Sequence, residues 1–167
     1  MTDIFEEIHD LSRQNSYQKV IEKLLANNGQ SIRSPYDSDL NHAWYLIGDA
    51  YYRLGNLEFA VSAFKKAIQQ WADDKDAILA LSNCYSELNS LSDAENVLRT
   101  AIQKWPGDGY YWYNLGNSLF DQRKYEESIA AYQNVVGDEE LTSMAKSNIE
   151  AAKNKLSMLR IQRKQPT

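Results

Sequence analysis

AIQQW at residues 67–71 and AIQKW at residues 101–105 are one phrase written twice, 34 residues apart. A recurrence at that period marks a supersecondary unit that cannot bury its apolar face alone and stacks on its neighbours. The offset persists outward from the phrase. Trp44, Ile78 and Trp112 share a column, as do Ile47, Leu81 and Leu115; Gly48, Ser82 and Gly116; and Tyr51, Tyr85 and Leu119. Further along come Ala60, Ala94 and Ser128, then Phe64, Leu98 and Tyr132, then Ala67, Ala101 and Val135. Seven columns in three ungapped rows leave little room for accident.

Each row reads as two helices. Trp44, Ile47 and Tyr51 recur at steps of three and four, one face of a helix. Gly55-Asn56 then interrupts with a residue free to take positive φ and a good N-cap. A second helix carries Ala60, Phe64, Ala67 and Ile68 inward and ends near Trp71. The small residues of the Gly48 and Ala60 columns let two antiparallel helices approach until the large ones interlock. Asp73-Asp74 and Asp108 supply caps and favourable negative charge for the helices that follow. Trp44→Ala and Trp112→Ala are each expected to cost about 3 to 5 kcal/mol as cavities in such a stack.

These columns, an early Trp, then Leu-Gly, Tyr, Ala, Phe, Ala and a closing Pro, make residues 41–142 resemble three consecutive tetratricopeptide repeats. The first row fits throughout; the second has Ile78 for the aromatic and Ser82 for Gly but keeps Pro106. The third departs most, with Leu119, Ser128, Val135 and Glu140 at signature places. The resemblance implies an all-α fold, a right-handed superhelix of antiparallel helix pairs. The expected organisation is a single domain over 1–167: a degenerate leading repeat or helical cap at 1–34, a linker at 35–40, repeats at 41–74, 75–108 and 109–142, and a basic capping helix and tail at 143–167.

In the leading segment Ile4, Ile8, Leu11, Tyr17, Val20, Ile21 and Leu24 occupy the apolar columns. The run NGQSIRSPYDSDL up to Leu40 exceeds an ordinary inter-repeat turn by about six residues and is expected to be the most flexible internal stretch. Beyond Gly137 the pattern becomes one helix over roughly 139–163, with a narrow stripe of Ala145, Ile149, Ala152, Leu156 and Leu159 flanked by Lys146, Lys153, Arg160 and Lys164. The stripe is expected to cap the last repeat; the sharper alternative is a self-association seam at Ile149, Leu156 and Leu159.

Charge is unevenly placed. Residues 1–142 carry 12 Lys and Arg against 22 Asp and Glu, whereas residues 143–167 carry six against one. An acidic body argues against nucleic acid, whose affinity rests on phosphate neutralisation. No apolar run approaches the ~20 residues that cross a membrane, and the start lacks the pattern of an export signal. The lone Cys84 excludes an internal disulfide and reads as a small buried filler. A cytoplasmic protein is expected, with no membrane partner.

Chemistry is sparse. His9 and His42 lie in different units without the spacing of a metal site, and Asp49 could orient His42 but no nucleophile accompanies them. No glycine-rich phosphate loop is present. No enzyme activity, cofactor or metal is expected.

What remains is the surface. In arrays resembling this one, the first helix of each pair lines a concave groove, which implies Tyr45, Asp49, Tyr52 and Arg53 from the first repeat. The second contributes Leu79, Asn83, Ser86 and Glu87, and the third Tyr113, Asn114, Asn117, Phe120 and Asp121. Tyr, Phe and Asn suit an extended peptide or a partner helix; the plainer alternative is that Tyr52 and Phe120 shield helix junctions. Members that grip chaperone C-terminal carboxylates use Lys, Asn and Arg where this chain has Tyr45, Asp49, Ala80, Tyr110 and Asn114, so the cationic clamp is missing. Asp49, Asp76, Glu87 and Asp121 instead favour a peptide with basic and apolar residues. The expected role is an adaptor or scaffold that binds protein; alternatives are a chaperone for an apolar client, similar in layout to those of bacterial type III secretion, or a structural module assembling as a homo-oligomer through its C-terminal helix.

Overall fold

The computed structural model describes residues 3–27 and 29–162, and its regular elements among these are helices, apart from an isolated bridge between Leu25 and Ile32. The chain divides into two units, Met1–Glu87 and Leu88–Thr167, parting within the second row of the repeat. In the first unit α1 (Glu6–Arg13), α2 (Tyr17–Leu24), α3 (Leu40–Arg53), α4 (Leu57–Gln70) and α5 (Lys75–Glu87) follow one another. The second holds α6 (Leu91–Lys104), α7 (Gly109–Asp121), α8 (Tyr125–Gln133) and α9 (Glu139–Gln162).

One backbone step recurs through the helices. Asn15, Gly55, Asn89 and Arg123 take positive φ, at 55°, 76°, 57° and 61°. The last three stand one repeat length apart, and Asn15 precedes Gly55 by that length plus the six-residue surplus. At Gly55 the helix closes with Gly55 N–H to Tyr52 C=O and Asn56 N–H to Tyr51 C=O, both 2.9 Å, the pair of bonds that satisfies orphan carbonyls at a helix end. Asn15 with Ser16 and Arg123 with Lys124 repeat the same two bonds. The leading segment therefore turns as a repeat turns, although its small-residue columns are lost.

The packing columns are buried as their periodicity requires. Ile47, Leu81, Leu115, Ala60, Ala94, Phe64, Leu98, Ala67 and Ala101 are all nearly inaccessible. Gly48 and Gly116 are needed for contact: a Cβ would fall 2.7 Å from the Phe64 ring in one case and 2.4 Å from the Tyr132 ring in the other. The Trp column is uneven. Trp44 is buried under the Lys66 ammonium, 3.8 Å from its ring centre, whereas Trp112 is only half-buried and donates its indole N–H to Pro106 C=O at 2.8 Å.

Aspartates start the helices. Asp39, Asp108 and Asp138 accept from the backbone N–H of His42, Tyr110 and Leu141. Buried Asp74 accepts from Ala77 N–H at 2.9 Å and from the Asn41 side chain at 2.8 Å, which ties the start of α5 to α3. Each backbone bond fills one of the donors a helix N-terminus leaves open.

Two expectations, for Ile4 and for Asp49, are corrected. Phe5, not Ile4, enters the core: Ile4 is exposed, while the Phe5 ring meets Tyr36 at 5.4 Å and His42 at 4.7 Å. The loop before α3 has structure of its own. Ile32 and Tyr36 are buried, Tyr36–Ser38 form a 3₁₀ turn, and Arg33 donates to Leu25 C=O at 2.7 Å and to the Asn27 side chain at 2.6 Å. Asp49 does not orient His42; it pairs with Arg53 at 3.3 Å. The His42 ring lies 5.4 Å from His9, a neighbour the sequence assigned to another unit, and burial together with the His9 charge holds its pKa below the ordinary imidazole value.

In the second unit α8 is short, nine residues against 14 in α6. Val135 and Val136 leave the helix to pass over the start of α7, so close that a Cβ on Gly109 would lie 1.7 Å from Val136 O. α9 then packs Leu141 and Ala145 with Tyr132 and Val135, with Trp112, Tyr113 and Ile149 against this cluster. Lys164, named with the flanking cations, lies outside the described residues. Among those residues no helix is long and apolar enough to cross a membrane, and no three His, Cys, Asp or Glu cluster as a metal site would need.

Candidate functional site

The residues left exposed by packing on α3 and α5 form a connected face of the first unit. The Tyr52 hydroxyl donates to the Glu87 carboxylate, joining the ends of the two helices, and this bond, with burial and the Glu87 charge, lifts the phenol pKa to about 12. About two turns back along α3, Tyr45 is half-buried with its ring tilted on Phe64 at 5.7 Å. Burial raises its pKa, helped by the charges of Asp49, Asp76 and Asp74. Arg53 holds Asp49 at 3.3 Å and is itself held protonated by it. Leu79 and Ser86 are half-buried, and Asn83 and Glu87 are exposed. The face thus combines two phenols, Leu79 and the carboxylates of Asp49, Asp76 and Glu87. Cys84 lies beneath it, fully buried, with burial first and then the Glu87 charge pushing the thiol up to about 12, so it is not a nucleophile at neutral pH.

The equivalent residues on α7 are drawn into their own unit. Asn117 Oδ1 accepts from the Tyr132 hydroxyl at 2.7 Å and from the Asn148 amide at 3.3 Å, and the same amide reaches the Tyr113 hydroxyl at 3.3 Å. Asn148 was missed in the sequence because it stands beside, not in, the apolar stripe of α9, and nothing local marks its partners. Tyr113 tilts on Tyr132 at 5.9 Å. Phe120 meets Tyr125 edge-on at 5.2 Å, across the α7–α8 turn. Asn114 is half-buried and Asp121 exposed.

Sequence comparison agrees with this pairing of helices. Three profiles described as the tetratricopeptide repeat match residues 18–75, 51–115 and 109–136. The chain belongs to the tetratricopeptide repeat family. Its fold is also that of solved structures at low identity. MamA, residue 41 to the end, from Desulfovibrio magneticus RS-1 is 18% identical with a TM-score of 0.67 over 98% of this chain and 96% of that one. The Sgt2 TPR domain from Aspergillus fumigatus is 17% identical, TM-score 0.65, over 76% and 85%. The first TPR of Spaghetti (RPAP3), bound to HSP90 peptide SRMEEVD, is 18% identical, TM-score 0.59, over 69% and 94%. No curated protein sequence matches the chain.

Tetratricopeptide repeats generally mediate contacts between proteins, and the columns that define the family in this chain are the buried ones. On α3 and α5 of this tetratricopeptide chain, the positions left outside those columns carry phenols and carboxylates together with Arg53.

Proposed function

We propose that the chain is a non-enzymatic adaptor or scaffold that holds a peptide or partner helix bearing basic and apolar residues against the α3 and α5 face. The observation that carries this reading is the Tyr52–Glu87 bond, which ties together the two helices that bear Tyr45, Asp49 and Asp76. Flat aromatic area gives apolar contact at small entropic cost, and carboxylates in excess of cations attract Lys and Arg and repel acidic tails. The acidic peptide named with the Spaghetti structure differs in charge from the ligand expected here. We assign the repeats to 41–74, 75–108 and 109–142, with 1–34 as a leading pair and 143–167 as a cap.

Fluorescence anisotropy with labelled peptides tests the assignment. A basic-apolar peptide should bind, an acidic one of equal length should not, and raising salt from ~50 to ~300 mM should weaken binding several-fold as exposed charges are screened. Tyr45→Ala and Asp49→Lys should each weaken it by about tenfold. Binding that ignores salt and both substitutions would place the site elsewhere.

A further inference from the structure

The end of α9 has no structural work in its own unit. Leu141, Ala145 and Ala152 are buried, but beyond Ala152 every described residue except half-buried Leu156 is exposed. Met158 and Ile161, one turn apart, are each 60% accessible, and Leu159 is 37% accessible. Large apolar side chains clustered at that exposure on a helix end point to a partner. The segment is also purely basic: from Lys153 onward the sequence has Lys153, Lys155, Arg160, Arg163 and Lys164 and no acid. Lys153 reaches back to Glu150 at 2.7 Å, while Lys155 and Arg160 flank the exposed apolar pair.

Resting on the function proposed above, we infer that the ligand of the α3 and α5 face is the C-terminal end of α9 from a second copy of this chain. Apolar Met158, Leu159 and Ile161 would meet the Tyr45 and Tyr52 rings, and Lys155 and Arg160 would meet Asp49, Asp76 and Glu87. Helix-in-groove recognition needs this combination of apolar anchors and complementary charge. α9 is one unbroken helix whose first half packs on Tyr132 and Val135, and its exposed end continues from there. Such a contact joins two different patches, so each copy keeps one free end and one free face, and copies add in series rather than closing as a twofold dimer.

Sedimentation velocity on the full chain tests this with two variants. Met158→Glu with Ile161→Glu alters only exposed side chains of the tail, and Asp49→Lys with Asp76→Lys reverses the face; circular dichroism checks that each stays folded. Wild type should grow in size with concentration, and the growth should weaken about tenfold between ~50 and ~300 mM salt. Each variant alone should remain a monomer, and an equimolar mixture should form a discrete pair, because one intact tail and one intact face remain. The tail variant, still folded, also keeps the inference testable if the face variant does not fold. Wild type that stays monomeric at every concentration overturns the proposal, as does a folded face variant that still self-associates, which would mean a tail-to-tail seam. The basic-apolar peptide titration run on the tail variant separates this failure from failure of the function itself: binding there with a monomeric wild type removes the second copy and leaves the face.

Discussion

At the residue scale, equal positions in the repeat do unequal work. Trp44 is 7% exposed, so Trp44→Ala should cost about 3 to 5 kcal/mol, whereas half-buried Trp112 loses less apolar contact and Trp112→Ala should cost about 2 kcal/mol or less. Urea melts of the two variants compare them directly, and equal losses would contradict the burial difference. Gly109→Ala should cost more than Gly116→Ala, on the order of 3 kcal/mol or above, because its Cβ meets backbone that cannot rotate away while the other meets a ring. Thermal denaturation ranks them. Glu95 supplies a pH prediction. Burial would raise its pKa, but bonds from Lys124, Gln122 and Arg99 outweigh that and bring it down to about 2 from 4.5. A carboxylate depressed in the folded state stabilises above its unfolded pKa and loses that contribution as pH falls from 4.5 toward 2. With the Arg99 and Lys124 side chains 47% and 40% exposed, the contribution is about 1 to 2 kcal/mol. Glu95→Gln should lower stability by that amount at pH 7 and by little near pH 2, read by urea unfolding at the two values.

At the element scale, helix ends and connections separate what periodicity announces from what packing decides. The 34-residue columns located α3 to α7 because an apolar face at helical spacing has few alternatives. The early end of α8 was not legible: Tyr132 and Val135 fit their columns, yet Val136 is claimed by the start of α7. Nor was the structure of the loop before α3, where Ile32 bridges back to Leu25 and Tyr36 meets the Phe5 ring. For α9 the stripe was readable and its half-used length was not. A chain ending at Asp138 should lose several kcal/mol in the second unit, since Tyr132 and Val135 lose their cover, whereas one ending at Ala152 should melt within about 0.5 kcal/mol of the full chain. Circular dichroism melts of both distinguish a capping half from a free half.

At the scale of the molecule, charge is the readable property. The full chain has a net charge of −5 and a pI near 5.1. Ending it at Ala152 removes five cations and no acid, which doubles the net charge to −10. The pH of minimum solubility should move from near 5.1 to a lower value, as measured by turbidity across pH 3.5 to 7. An unmoved minimum would show that association, not net charge, controls solubility.

The repeat, its helix pairs, the buried columns and the acidic body with a basic end were all determined by the sequence, because helical spacing and charge are local properties that survive without coordinates. Which exposed residues act together was decided only by tertiary structure. Tyr52 meets Glu87, Asn148 gathers Tyr113 and Asn117, and His42 finds His9 across gaps of 31 to 35 residues. Polar contacts between helices depend on how far one rotates and slides against the next, which the volumes of the buried side chains set jointly and no single stretch of chain records.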